Sequence, residues 1–137
     1  MTAVRVPYFQ DLPTILLTIK SSGEAHGIVR RLLVDSGFTG ECGLLLSHAD
    51  CSTFRKRIAT ACDVSGAIQG VYMRVWISCS IPSLSFPSTQ MAIAADILEL
   101  ALPDGIDGLA GLSFLSLFRR WGAERDPAGK WEFVLEK

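Results

Sequence analysis

The most regular stretch of the chain is Val71-Tyr-Met-Arg-Val-Trp-Ile77, where Val71, Met73, Val75 and Ile77 alternate with Tyr72, Arg74 and Trp76. A period of two predicts a strand with the first set on one face and the second on the other. Thr14-Ile-Leu-Leu-Thr-Ile-Lys20 is rich in β-branched residues and runs into Ser21-Ser22-Gly23, a turn signal; the apolar run Ile28 to Val34 follows, so the two segments predict a hairpin. Leu44-Leu45-Leu46 predicts a third strand, and Ser47 the cap of a short helix reaching about Ile58. Ala61 to Gly70 carries few large side chains and predicts a mobile connection, and Ser80 to Pro87 a loop, because proline is unwelcome in a central strand. Gln90 to Ile97 predicts another strand. Leu112 to Phe118 predicts a short apolar helix, with Arg119 and Arg120 at the end where cations suit the helix dipole. Asp126-Pro-Ala-Gly129 fits a type I turn between strands at Trp121–Arg125 and Trp131–Leu135. Seven or so short strands, two short helices and no internal repeat predict a mostly β fold with Greek-key or barrel-like closure.

A length of 137 residues points to a single domain over residues 1–137, and 49% hydrophobic residues suffice for a core without disulfides or a structural metal. Thirteen basic against fourteen acidic residues leave a formal charge of −1, so no overall field draws nucleic acid or anionic lipid. The mean hydropathy is +0.33, yet no stretch approaches the roughly 20 apolar residues of a spanning helix. Neither a nucleic-acid nor a membrane partner is expected. Met1 to Gln10 holds no continuous apolar run of the secretory type, which places the chain in the cytoplasm as an expectation.

Most chemical constellations find no anchor. Cys42, Cys51, Cys62 and Cys79 form no Cys-x-x-Cys pair and no zinc spacing, so they are expected to be buried reduced thiols. His26 and His48 are expected at ordinary surface or loop positions, Asp104, Gly105 and Asp107 in a turn without the ligand set of a calcium loop, and Trp76, Trp121 and Trp131 as core or interface anchors. Nucleophile-elbow, dinucleotide and P-loop motifs are missing from the sequence. What remains is Leu32-Leu-Val-Asp35-Ser36-Gly37-Phe38-Thr39-Gly40. There an apolar strand runs directly into an acid, a hydroxyl and a glycine, bringing a carboxylate out at a strand end close to the core. Burying such a charge is costly unless it is hydrogen-bonded or shares its proton. Asp-Ser/Thr-Gly arises by chance in roughly one chain in twenty of this length, so the weight falls on what accompanies it.

Downstream lies Gly108-Leu109-Ala110-Gly111-Leu112-Ser113-Phe114-Leu115, and between the two blocks come a glycine-bearing segment and the strongest strand. This order resembles the retroviral-type (retropepsin-like) aspartic peptidases and their single-domain bacterial relatives, over about Thr14 to Leu135. The resemblance implies a closed β-barrel of the acid protease fold with one or two short helices. It also implies a homodimer, because this chain carries one Asp-Ser-Gly and the family builds its site from two acids across a twofold axis. The implied activity is that of an aspartic endopeptidase acting on a peptide or protein substrate, with no metal or organic cofactor.

By the same resemblance Asp35, Ser36 and Gly37 form the catalytic loop. Asp35 pairs with its copy, Ser36 bonds across the dimer, and the Gly37 N–H donates to the carboxylate. Phe38 and Thr39 are assigned to substrate binding, Phe38 either walling the groove or packing beneath it. Leu109, Ala110 and Gly111 support the loop, with Ala110 smaller than the residue common there. Cys62 to Tyr72 is the expected flap, with Gly66, Ala67, Ile68 and Gly70 contacting substrate; composition alone does not separate it from an ordinary hairpin. Two other functions stand beside the enzyme: a catalytically silent retropepsin-like dimerisation or peptide-binding module, and an unrelated β-barrel binding a small ligand or a partner protein.

Overall fold

A computed structural model describes residues 2–20, 27–52, 57–65, 70–81, 83–95 and 101–137. In chain order these form β1 (Ala3–Pro7), β2 (Thr14–Lys20), β3 (Ile28–Val34), β4 (Thr39–Gly40), β5 (Leu44–Ser47), α1 (His48–Ser52), β6 (Arg57–Ser65), β7 (Gly70–Ile81), β8 (Leu84–Ala95), β9 (Gly108–Ala110), α2 (Leu112–Leu115), β10 (Arg120–Arg125) and β11 (Trp131–Glu136). The larger sheet runs β2-β3-β9-β5-β8-β7-β6-β4, and β2 also pairs with β7 over Thr18–Lys20, which curls it into a half-barrel. A separate three-stranded sheet runs β1-β11-β10. The mostly β fold with two short helices is thus as the sequence predicts.

Alternation fixes β2 and β7. In β2 the side chains of Ile15, Leu17 and Ile19 are all buried, and in β7 the set Val75, Ile77, Cys79 and Ile81 joins them in one cluster with Leu32, Phe114 and Phe133. β5 behaves differently. Leu44, Leu45 and Leu46 are all fully buried because β5 lies inside the sheet, parallel to β8 on one side and antiparallel to β9 on the other. A continuous apolar run is what a strand covered on both faces requires. Gly108 in β9 permits the close approach: a Cβ there would sit 2.0 Å from the Leu45 carbonyl oxygen.

Four expectations change. The helix after Ser47 is capped as predicted, the Asp50 N–H donating to Ser47 Oγ at 3.0 Å, but it ends at Ser52. From Arg57 the chain is strand β6, recruited by pairing with β7, so Ala61 to Ser65 is sheet rather than a mobile connection. Strand β8 passes through the expected proline loop; Pro87 stands opposite Ser80 beside a register shift, where a missing N–H disrupts little. α2 stops at Leu115, and Arg119 and Arg120 pair with Glu136 instead of facing a helix end. Strand β1 was not predicted. Its Val4 and Val6 follow a period of two and it zips antiparallel to β11 from Ala3↔Glu136 to Pro7↔Glu132.

Among the described residues no helix is long and apolar enough to cross a membrane. The thiols of Cys42, Cys51 and Cys79 are buried and outside any disulfide, and His48 is exposed at the start of α1, as expected. Trp121 packs partly buried against the core, whereas Trp131 is 45% exposed, stacked on Tyr8 with the Arg125 guanidinium 4.6 Å from its ring centre.

Candidate functional site

Strand β3 carries Asp35 to the place where β9 arrives in parallel, with Leu33 beside Leu109 and Val34 beside Ala110. The segment 35–38 then turns tightly on itself. The Phe38 N–H donates to the Asp35 carbonyl at 3.1 Å, and the Gly37 N–H donates to Asp35 Oδ1 at 3.0 Å. A short acid closing its own turn in this way explains why Asp-Ser-Gly folds as it does after a strand. The second contact is also the one the resemblance implies for Gly37. Asp35 remains half-buried, while Ser36 and Gly37 are exposed.

The segment after β9 passes directly behind this turn. The Asp35 N–H donates to the Ala110 carbonyl at 2.9 Å, the Leu112 N–H to the Phe38 carbonyl at 2.9 Å, and the Gly111 N–H to the Gly43 carbonyl at 2.8 Å. The approach is closest at Gly111, where a Cβ would stand 2.6 Å from the Phe38 carbonyl oxygen and 3.0 Å from two atoms of its ring. Gly43 is equally constrained, since a Cβ there would lie 2.7 Å from the Phe114 nitrogen. Leu109, Ala110 and Gly111 are all buried, which puts them where support for the loop was expected.

Of the two alternatives left open for Phe38, the structure selects packing beneath the loop: its ring is 1% exposed and lies against Gly111, so it walls no groove in this chain. Thr39 is half-buried and opens β4, which pairs with β6 as Thr39↔Ser65 and Gly40↔Val64. The hairpin expected over Cys62 to Tyr72 is present as paired strands, with Cys62 opposite Tyr72 and Val64 opposite Gly70. Gly66, Ala67 and Ile68, assigned to its tip, lie outside the described residues. The end of β6 next to the hairpin tip is therefore tied through β4 to the Asp35 loop.

Three participants escaped the sequence-based assignment. Ser113 donates its hydroxyl to the Gly40 carbonyl, adding a side chain to the clamp made by the 110–112 backbone. Gly43, a glycine directly before an apolar run, was the available signal for a close crossing. Asp107, expected only in a turn, accepts the Arg31 N–H on Oδ2 at 2.8 Å while its own N–H donates to the Arg31 carbonyl at 2.8 Å, so it extends the β3–β9 pairing. Arg31 in turn donates to Thr14 Oγ1 and covers the Phe9 ring, 4.3 Å from its centre.

The arrangement presents one carboxylate per chain at a rigid strand end, half-accessible and oriented by a backbone N–H. It offers no second acid, base or nucleophile at that position from the same chain among the contacts described. Compared with known proteins, the chain matches no family model and no curated protein sequence.

Proposed function

We propose that this protein is an aspartic endopeptidase of retropepsin-like fold, whose site is completed when two copies bring their Asp35 loops together. The observation that carries the proposal is the crossing of two segments behind Asp35. An acid used only to close a turn needs no second strand threaded beneath it, whereas here two backbone hydrogen bonds and a glycine contact at Gly111 fix the turn from behind. Rigid placement is what a reacting carboxylate needs and what a surface turn does not.

In the proposed dimer the two Asp35 carboxylates lie about 3 Å apart and share one proton, since two such charges at that separation do not ionise together. The ionised partner takes a proton from a water held between them, and the protonated partner donates to the oxygen of the scissile carbonyl. The water oxygen bonds to the carbonyl carbon; the carboxyl that took up the water's proton then gives it to the leaving nitrogen while the other carboxylate takes a proton from the diol, and collapse expels the amine. No metal and no covalent intermediate enters the scheme. Ser36, exposed at the tip of the turn, braces the pair across the twofold axis, and Thr39 on β4 meets the substrate backbone. Phe38 acts from beneath as support. The β6–β7 hairpin folds over bound peptide and excludes water.

Asp35→Asn keeps the length and the acceptor oxygen of the side chain but removes its acid, so it is expected to abolish peptide cleavage while the dimer persists in sedimentation. Cleavage that survives the substitution refutes the assignment. Activity should peak on the acidic side of neutral and fall at higher pH as the shared proton is lost, and a flat profile to pH 9 counts against the mechanism. A stable dimer that cleaves nothing in a broad peptide library between pH 4 and 7 marks instead the silent binding module, and a monomer at micromolar concentration the unrelated barrel.

A further inference from the structure

The stretch from the Asp35 loop to Gly43, just before β5, is tied to the 110–113 segment by four hydrogen bonds. Three of them, from Asp35 to Ala110, Leu112 to Phe38 and Gly111 to Gly43, join backbone to backbone and are indifferent to side-chain identity. The fourth runs from the Ser113 hydroxyl to the Gly40 carbonyl. Gly40 ends β4, a strand of two residues. So short a strand has little to hold it, and its pairings with β6 are Thr39↔Ser65 and Gly40↔Val64. Gly40 has a φ of +132°, a conformation that favours glycine, so the orientation of the carbonyl that Ser113 engages is set by the backbone itself.

Ser113 thus stands where three things meet: the helix behind the acid, the far end of the strand leaving it, and, one pairing further, the hairpin that β6 forms with β7. We infer that Ser113 is a positioning residue: its hydroxyl fixes the height of β4 beneath a bound peptide and couples that strand's order to the β6–β7 hairpin. This rests on the proposed peptidase reading for the role of β4 in substrate contact, while the coupling itself is a property of the fold. Ser113 touches neither Asp35 nor the reacting atoms in this scheme, so its effect falls on substrate binding rather than on the chemical step. Losing one hydrogen bond of this kind weakens a coupled equilibrium by about tenfold at most.

The test compares Ser113→Ala and Ser113→Thr with the wild type by two measurements on the full chain. In amide hydrogen exchange, Ser113→Ala is expected to lower protection of residues 39–40 and 64–65 by about tenfold while β2, β3 and β7 keep theirs, and Ser113→Thr, which retains the hydroxyl, to restore it. In peptide cleavage, Ser113→Ala is expected to raise KM by about tenfold with kcat within about twofold, and Ser113→Thr again to rescue. Unchanged exchange at 39–40 and 64–65 in Ser113→Ala overturns the inference whatever the kinetics. Reduced protection with an unchanged KM in an Asp35-dependent enzyme overturns the substrate-positioning part. If the wild type shows no Asp35-dependent cleavage, the peptidase reading fails and takes substrate positioning with it, and the exchange data decide the coupling by themselves.

Discussion

Gly111→Ala is the sharpest probe of the crossing behind Asp35. The added Cβ would lie 2.6 Å from the Phe38 carbonyl oxygen and 3.0 Å from Phe38 Cγ and Cδ2. Ordinary van der Waals contact begins near 3.4 Å, so carbonyl and methyl must separate by roughly 0.8 Å, more than a packed interior yields without strain. Phe38 cannot simply swing aside, because its ring is 1% exposed and its carbonyl accepts the Leu112 N–H at 2.9 Å. Overpacking of this kind costs about 1–3 kcal/mol, and stretching the Leu112–Phe38 bond adds about 1 kcal/mol, for a total of about 2–4 kcal/mol. Urea unfolding followed by circular dichroism reads this directly. With a slope on the order of 1.5 kcal/mol per molar urea, the midpoint should fall by about 1–3 M. Gly37→Ala is the control within the same loop. Its Cβ meets only Asp35 Oδ1, at 3.3 Å, so a side-chain oxygen gives way and stability stays within about 0.5 kcal/mol of wild type. Cleavage should nevertheless fall, since that oxygen belongs to the proposed acid. A Gly111→Ala protein as stable as wild type would show that no tight passage exists at this point and would remove the main support for a braced acid.

Two further expectations concern titration. The Glu124 carboxylate is held below its usual value by hydrogen bonds from Arg120 and from Arg5, the latter pairing at 2.8 Å. The unfolded chain therefore takes up a proton at higher pH than the folded one, and this contribution to stability is present above about pH 4.5 and lost as pH falls through the depressed value. Glu124→Gln should flatten the acid limb of stability against pH in urea titrations from pH 7 to 3, and an unaltered limb would contradict the pairing. Burial pushes the Cys79 thiol up to about 12 from 9.0, so its contribution is complete below pH 9 and is lost as pH rises from there towards 12. At pH 10 the loss is about 1.4 kcal/mol; Cys79→Ala should reduce the fall in stability between pH 8 and 10 by that amount, and an identical fall would show that the thiol is not sheltered.

How much of this was legible in the sequence depends on where each residue's constraint originates. Strand β2, the Asp35 turn and the Asp126–Gly129 turn could be read because their causes are local. Alternation, an acid closing its own loop, and a Gly129 at φ +82° with its N–H donating to the Asp126 carbonyl at 2.9 Å all act within a few residues. β6 carries no periodic signal of its own in Thr60-Ala-Cys-Asp-Val, and its strand character comes from β7 alongside it. Pro87 breaks the strand signal of β8 in the sequence, because its position beside a register shift is invisible until the partner strand is known. The two-block pattern around Asp35 and Gly111 pointed to a crossing, and the contacts behind the loop supply one. The roles of Ser113, Gly43 and Asp107 were not legible, because each acts on a carbonyl or N–H contributed by a distant segment, and such partners leave no mark in composition or spacing.

The pairing of β1 with β11 has a consequence for how the molecule folds. Its two strands are separated in sequence by every strand of the larger sheet, yet they pair along their whole length, with the Lys137 N–H closing on the Thr2 carbonyl at 2.7 Å. Val4 and Val6 therefore reach the surface they cover only through a long-range loop closure, whose entropic cost makes the small sheet a slow contact to form.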